Sequence, residues 1–174
     1  GGLGNDTLIG GEGLDTATYV NSTAGVTVDL RIAGAQNTGG EGTDTLVGIE
    51  YLTGSNFGDT LHGNDGFNLL VDNAVSGAAG QTDSLFGYGG NDSILVTRAA
   101  ANPATNINMD GGAGNDTLIG GEGLDTVTYT FATTGVNVDL RIAGAQDTGG
   151  EGVDTLIGVE NLAGSNFGDT LKGD

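Results

Sequence analysis

The chain has 174 residues and a formal net charge of −19, from 4 Lys and Arg against 23 Asp and Glu, with 36 glycines and no cysteine or tryptophan. Four cationic side chains cannot neutralise a phosphate track, which excludes nucleic acid as a partner and argues equally against an anionic membrane surface. The lack of cysteine excludes disulfides and thiolate metal sites, and no apolar run approaches a membrane span, so cations are the natural partners.

Two copies of a nine-residue phrase open the chain, GGLGNDTLI (1–9) and GGEGLDTAT (10–18). A spacer, 19–38, follows. It holds an alternating strand, Val26-Thr27-Val28-Asp29-Leu30, and then a Gly/Gln/Thr-rich loop. The phrase returns at 39–47 (GGEGTDTLV), 54–62 (GSNFGDTLH) and 63–71 (GNDGFNLLV), degenerates at 78–86 (AAGQTDSLF), and recurs at 87–95 (GYGGNDSIL). The stretch 97–109 has no glycine, and an irregular turn is expected around Asn102-Pro103. The second half repeats the first: 111–119, 120–128, a spacer at 129–148 with Val136-Asn137-Val138-Asp139-Leu140, then 149–157 and 164–172.

Shifted by 110 positions, residues 1–64 overlay 111–174 with 15 differences, the mark of a recent module duplication. The expected organisation is one solenoid over 1–174, with duplicated modules at 1–64 and 111–174 and connecting repeats of the same solenoid at 65–110. The chain starts and stops inside repeats, so it reads as a piece of a longer array.

Each phrase has a direct physical reading. Glycines at positions one, two and four open backbone angles closed to other residues, so the loop can curl and turn carbonyls inward. Position six places a side-chain oxygen at the loop's end: Asp6, Asp15, Asp44, Asp59, Asn68, Asp83, Asp92, Asp116, Asp125, Asp154 and Asp169. Turn closure explains one such Asp; a periodic array with this charge excess calls for counter-ions. The tail is a short strand with an apolar position eight, and stacked coils would bury one such residue per turn. Spacings of 24 residues put Asp44, Asn68, Asp92 and Asp116 in one expected column, with Asp59 and Asp83 opposite. Whether the spacers enlarge the coils or leave as hairpins stays open at this level. Asp29, Glu50, Asp139 and Glu160 read as solvated faces, Arg31 and Arg141 as local partners of acidic neighbours, and Tyr19 and Tyr129 as caps on the apolar core.

The tandem phrase G-G-x-G-x-D-x-U-x resembles the RTX, or haemolysin-type, calcium-binding repeat, and the resemblance covers most of the chain. It implies an all-β fold, a right-handed parallel β-roll or β-helix solenoid with several Ca2+ ions between stacked Gly-rich turns. The implied ligands are the position-six side chains together with backbone carbonyls of the loops at Gly1, Gly2, Gly4, Gly11, Gly13, Gly40, Gly42, Gly90, Gly112, Gly114, Gly121, Gly123, Gly150 and Gly152. Asn68 in place of Asp should weaken its site, and Phe57 and Gln81 in place of the position-four glycine should distort theirs. The resemblance further implies a secreted protein of a Gram-negative bacterium, exported by a type I system and folding in external calcium. No nucleophile–base pair is visible, His62 is the single histidine, and the chain is read as a non-enzyme. The expectation is a monomeric calcium module. The alternative is an extracellular adhesion or carbohydrate-contacting spacer, or the accessory repeats of a polysaccharide-acting enzyme.

Overall fold

Strands this short cannot stand alone, and the chain stabilises them by stacking. The computed structural model describes residues 1–73, 81–97 and 106–174, and the described residues form strands of three to six residues with no helix. The expected turn around Asn102-Pro103 therefore lies outside the described residues. No helix among the described residues is long and apolar enough to cross a membrane.

Two parallel walls result. The first runs through Thr16–Thr18, Tyr51–Thr53, Leu69–Val71, Ser93–Leu95, Thr117–Ile119 and Gly152–Ile157; the second through Thr27–Asp29, Thr60–His62, Thr82–Phe86, Asn106–Asp110, Thr126–Thr128 and Asn161–Ala163. Register sets one inward residue above the next. Ala17, Leu52, Leu70, Ile94, Leu118 and Leu156 form one file. Val28, Leu61, Leu85, Met109, Val127 and Leu162 form the other. All but Leu162 are buried in one continuous core. A core one side chain wide on each wall suits Leu, Ile and Val, which accounts for the scarcity of aromatic residues. Each buried aliphatic contributes on the order of 1.5–3 kcal/mol.

Leu52 and Leu162 belong to strands outside the nine-residue phrase, Tyr51–Thr53 and Asn161–Ala163. The segments around them, GIEYL and GVENL, lack the glycine loop but put an aliphatic residue where the wall needs one.

The spacers do two things. Val26 and Val28 are buried, and Thr27–Asp29 joins the second wall alongside Thr60–His62. The loop beyond folds back as a hairpin, Gln36–Gly39 antiparallel to Gly42–Val47, and the same hairpin recurs as Gln146–Gly149 with Gly152–Ile157. Thr7–Ile9 lies parallel to Gly42–Val47, and Asn137–Asp139 parallel to Thr170–Lys172, each pair outside the two long walls. The architecture is a parallel β-roll.

Candidate metal centre

At the start of most strands sits an acidic or amide residue, and coil stacking turns these residues into ladders. In the first wall Asn68 donates its backbone N–H to Asp92 Oδ1 at 2.7 Å, and Asp92 donates to Asp116 Oδ1 at 2.7 Å, each across 24 residues. Asp116 in turn donates to Asp154 Oδ1 at 3.1 Å, across the 38 residues of the second spacer coil. In the second wall Val26 donates to Asp59, Asp59 to Asp83, Ile107 to Asp125, and Asp125 to Glu160. Asp6 donates to Asp44, and Val136 to Asp169. Each carboxylate reaches back and accepts an amide proton from the coil before it.

The expected column needs one correction. Asp44 does not stack on Asn68; it stacks on Asp6, 38 residues away. The extra strand Tyr51–Thr53 takes the place before Leu69–Val71, and Glu50 fills the slot. Asp15 donates its N–H to a Glu50 carboxylate oxygen at 3.0 Å, and the Asn68 amide donates to the Glu50 carbonyl at 3.1 Å. Glu50 and Glu160 are therefore ladder members rather than purely solvated charges. Their signal in the sequence was their place directly before an alternating triplet, YLT or NLA.

The glycines divide their work. Positions two and four take left-handed angles, as at Gly2 (φ 94°) and Gly4 (φ 135°), or Gly112 (φ 81°) and Gly114 (φ 151°). Position one has a different reason, which the sequence alone did not reveal. The position-six side chain folds back over its own loop, so a Cβ on Gly1, Gly87 or Gly111 would overlap the carboxylate of Asp6, Asp92 or Asp116. Successive loops also press together: the carbonyls of Gly4, Gly90 and Gly114 lie where a Cβ on Gly42, Gly114 and Gly152 would sit. Of the other loop glycines, Gly11, Gly13, Gly121 and Gly123 take positive φ, and Gly40 and Gly150 lie against Ser22 and Thr134 at the hairpin turns.

The carboxylates fall into two groups. Asp59 is closed by protein donors: Ser55 N–H on Oδ2 at 2.6 Å, with the Ser55 hydroxyl at 2.7 Å and Val26 N–H at 2.8 Å on Oδ1. Asp169 takes the Ser165 hydroxyl and Val136 N–H in the same way. Asp44 and Asp154 each receive a Tyr and a Thr hydroxyl on Oδ2, from Tyr19 and Thr38 and from Tyr129 and Thr148. In contrast, Oδ2 of Asp6, Asp15, Asp92 and Asp116 is buried without a hydrogen-bond partner. Such an atom carries a desolvation cost that a cation would remove. Burial pushes Asp92 and Asp116 up to about 7, with repulsion from Asp154, Asp92 and Glu151 adding at Asp116. Burial likewise pushes Asp154 and Asp110 up to about 6.

The spacer charges are self-contained. Arg31 pairs with Asp29 at 2.7 Å, and Arg141 with Asp139 at 2.6 Å, with Lys172 at 3.5 Å from the latter. Tyr19 and Tyr129 are buried in the core, with their hydroxyls turned to the ladder; burial raises both phenols, and the facing carboxylates add to it.

Among the described residues, no three Asp, Glu or His side chains converge closely enough to enclose an ion by themselves. The donor set is instead one carboxylate oxygen per turn amid stacked carbonyls. Oxygen-only and carbonyl-rich, it fits Ca2+, which takes six to eight oxygens. The fold and these turns define a cation-binding repeat solenoid. The family model for the RTX calcium-binding nonapeptide repeat matches four copies, over residues 1–18, 49–74, 77–96 and 108–129, and the chain belongs to that family. Its repeats are calcium-binding structural units. Comparison with curated proteins gives no match.

Proposed function

We propose that the chain is a calcium-gated folding module of a secreted bacterial protein, with the turns containing Asp6, Asp15, Asp92 and Asp116 as its principal ion sites. The supporting observation is the buried, unpartnered Oδ2 on each of these residues. Bound calcium supplies positive charge to a stack whose carboxylates otherwise repel. The chain's own part is to hold one oxygen of each carboxylate on the neighbouring coil's amide and leave the second for the ion. In low calcium the ladders cannot close and the strands have nothing to stack on; in the millimolar calcium outside a cell they do. The module acts as a monomer and has no catalytic role of its own.

Circular dichroism tests this reading. The chain should be largely disordered in chelator and gain β signal in millimolar calcium, and magnesium should substitute poorly because it demands a tight octahedron and keeps its waters. Full β signal in chelator would refute the proposal.

One observation favours a second, compatible role as a carbohydrate-contacting surface. His62 stacks on Phe86 with ring centroids 5.0 Å apart, Phe86 meets Phe131, and Arg31 lies 3.7 Å over the Tyr88 ring. Tyr88 holds a left-handed angle (φ 78°) at a loop position that is glycine in the first phrase. Glycan-array binding of the folded chain, lost in Tyr88→Gly, would support that role; an array with no binding in calcium would remove it.

A further inference from the structure

The tetrapeptide GGEG occurs four times, and its glutamate has two fates. Glu12 and Glu122 are exposed, whereas Glu41 and Glu151 are only 5% and 4% exposed. The buried pair sits at the hairpin turns, where the backbone docks on the preceding loop: Gly4 N–H donates to the Glu41 carbonyl and Gly114 N–H to the Glu151 carbonyl, both at 2.7 Å. Both lie outside the segments that the family model matches.

No hydrogen bond or ion pair among the described residues holds the Glu151 carboxylate. Its electrostatic neighbours are all acidic. Asp110 and Asp154 repel it, and it in turn repels Asp116. Asp110 and Asp116 flank the loop 111–115, and each is 1% exposed. Asp110 Oδ1 and Asp116 Oδ2 are both buried without a partner. Asp110 is no part of the nine-residue phrase; its Oδ2 accepts from the Thr128 hydroxyl at 3.0 Å and Thr130 N–H at 3.1 Å, which fixes its orientation. Three carboxylates around one loop carry more negative charge than the one carboxylate per turn that the repeat provides.

We propose that Glu151 is a side-chain cation ligand, joining Asp116 and the carbonyls of loop 111–115 in a site whose charge Asp110 reinforces, and that Glu41 plays the same part beside Asp6. The carboxylates are set too widely to enclose an ion alone, so the loop carbonyls complete the shell. Ligand charge tunes calcium affinity, which makes the Glu151 site the tightest in the chain. The first site lacks a counterpart of Asp110 and is the weaker twin. This inference rests on the calcium reading of the repeats.

The test is calcium calorimetry on the full chain, comparing Glu151→Gln with Glu122→Gln. Glutamine keeps the shape and removes the charge. Glu151→Gln should weaken the tightest binding step about tenfold or more, and Glu122→Gln should leave it unchanged. Asp110→Asn provides a second variant, expected to weaken the same step, and carries the test if Glu151→Gln does not fold in saturating calcium. Equal isotherms for Glu151→Gln and Glu122→Gln, or an unchanged tight step in Asp110→Asn, would overturn the inference while leaving calcium binding intact. No calcium heat from the unaltered chain would instead reject the reading beneath it.

Discussion

The turns at 54–59 and 87–92 lead into strands of opposite walls, hold the same place in the nine-residue phrase, and use their aspartates in opposite ways. Asp59 spends both oxygens on Ser55 and Val26. Asp92 gives Oδ1 to Asn68 N–H and keeps Oδ2 buried and unpaired. The difference comes from position two. Ser55 brings a hydroxyl and an inward N–H to its own aspartate, whereas Tyr88 in the other loop donates no bond to Asp92. The same motif thus yields a turn closed by protein alone and a turn with one carboxylate oxygen unpaired. On the proposed calcium reading, a position-six aspartate serves as a ligand only when its loop does not satisfy it first.

The largest predicted effect separates the two turns. Asp92→Ala should raise the calcium midpoint for folding by about tenfold or more, since a ligand is lost from the middle of a ladder. Asp59→Ala should instead destabilise the folded chain by about 1–3 kcal/mol at saturating calcium, because three donors lose their acceptor. Denaturant unfolding at several calcium concentrations distinguishes the two.

Acid should act on the open turns in a defined direction. Asp92 and Asp116 are raised to about 7, above an unfolded value near about 3.9. A carboxyl raised on folding contributes stability that is present below its unfolded pKa and lost as pH rises through its folded one. In chelator, the fold should accordingly become more stable as pH drops from about 7 towards about 4, set by those two values. In calcium the trend reverses, because protons compete for the ligands, and the calcium midpoint should rise over the same window. A chelator-treated chain that gains no β signal on acidification would contradict this assignment.

A smaller effect is expected at Asn68. Its amide donates to the Glu50 carbonyl while its Oδ1 accepts Asn64 N–H at 2.7 Å. From sequence, Asn68→Asp reads as the repair of a weakened site. With its partners in view, the substitution sets a carboxylate oxygen against a carbonyl and should cost about 1–3 kcal/mol at saturating calcium, measured by thermal melts. The smallest effect belongs to Asp29→Ala. The Arg31 pair is exposed on the arginine side, and its loss should shift stability by about 0–1 kcal/mol, with no change in calcium midpoint.

Much of this was legible in the residues. Glycine at fixed offsets, an aspartate at six and an aliphatic at eight specify loop, ladder and core, and the 24-residue spacing sets Asn68, Asp92 and Asp116 in file. The stacking of Asp44 was not legible, because it depends on an additional strand at Tyr51–Thr53 that carries no glycine signature. Nor was the division between open and closed carboxylates. It is decided by hydroxyls and amides, from Ser55, Thr38 and Tyr19, whose direction only the folded chain fixes. The buried Glu41 and Glu151 share their tetrapeptide with exposed Glu12 and Glu122, so local sequence could not separate them; the hairpin that covers them does.

The most direct test of the central claim is the number of calcium ions taken up on folding, read from the slope of folding free energy against the logarithm of calcium concentration. The account predicts that Asp92→Asn lowers this slope while Asp59→Asn leaves it at the unaltered value, although both proteins are destabilised. Equal slopes for the two variants, or a larger loss from Asp59→Asn, would contradict it.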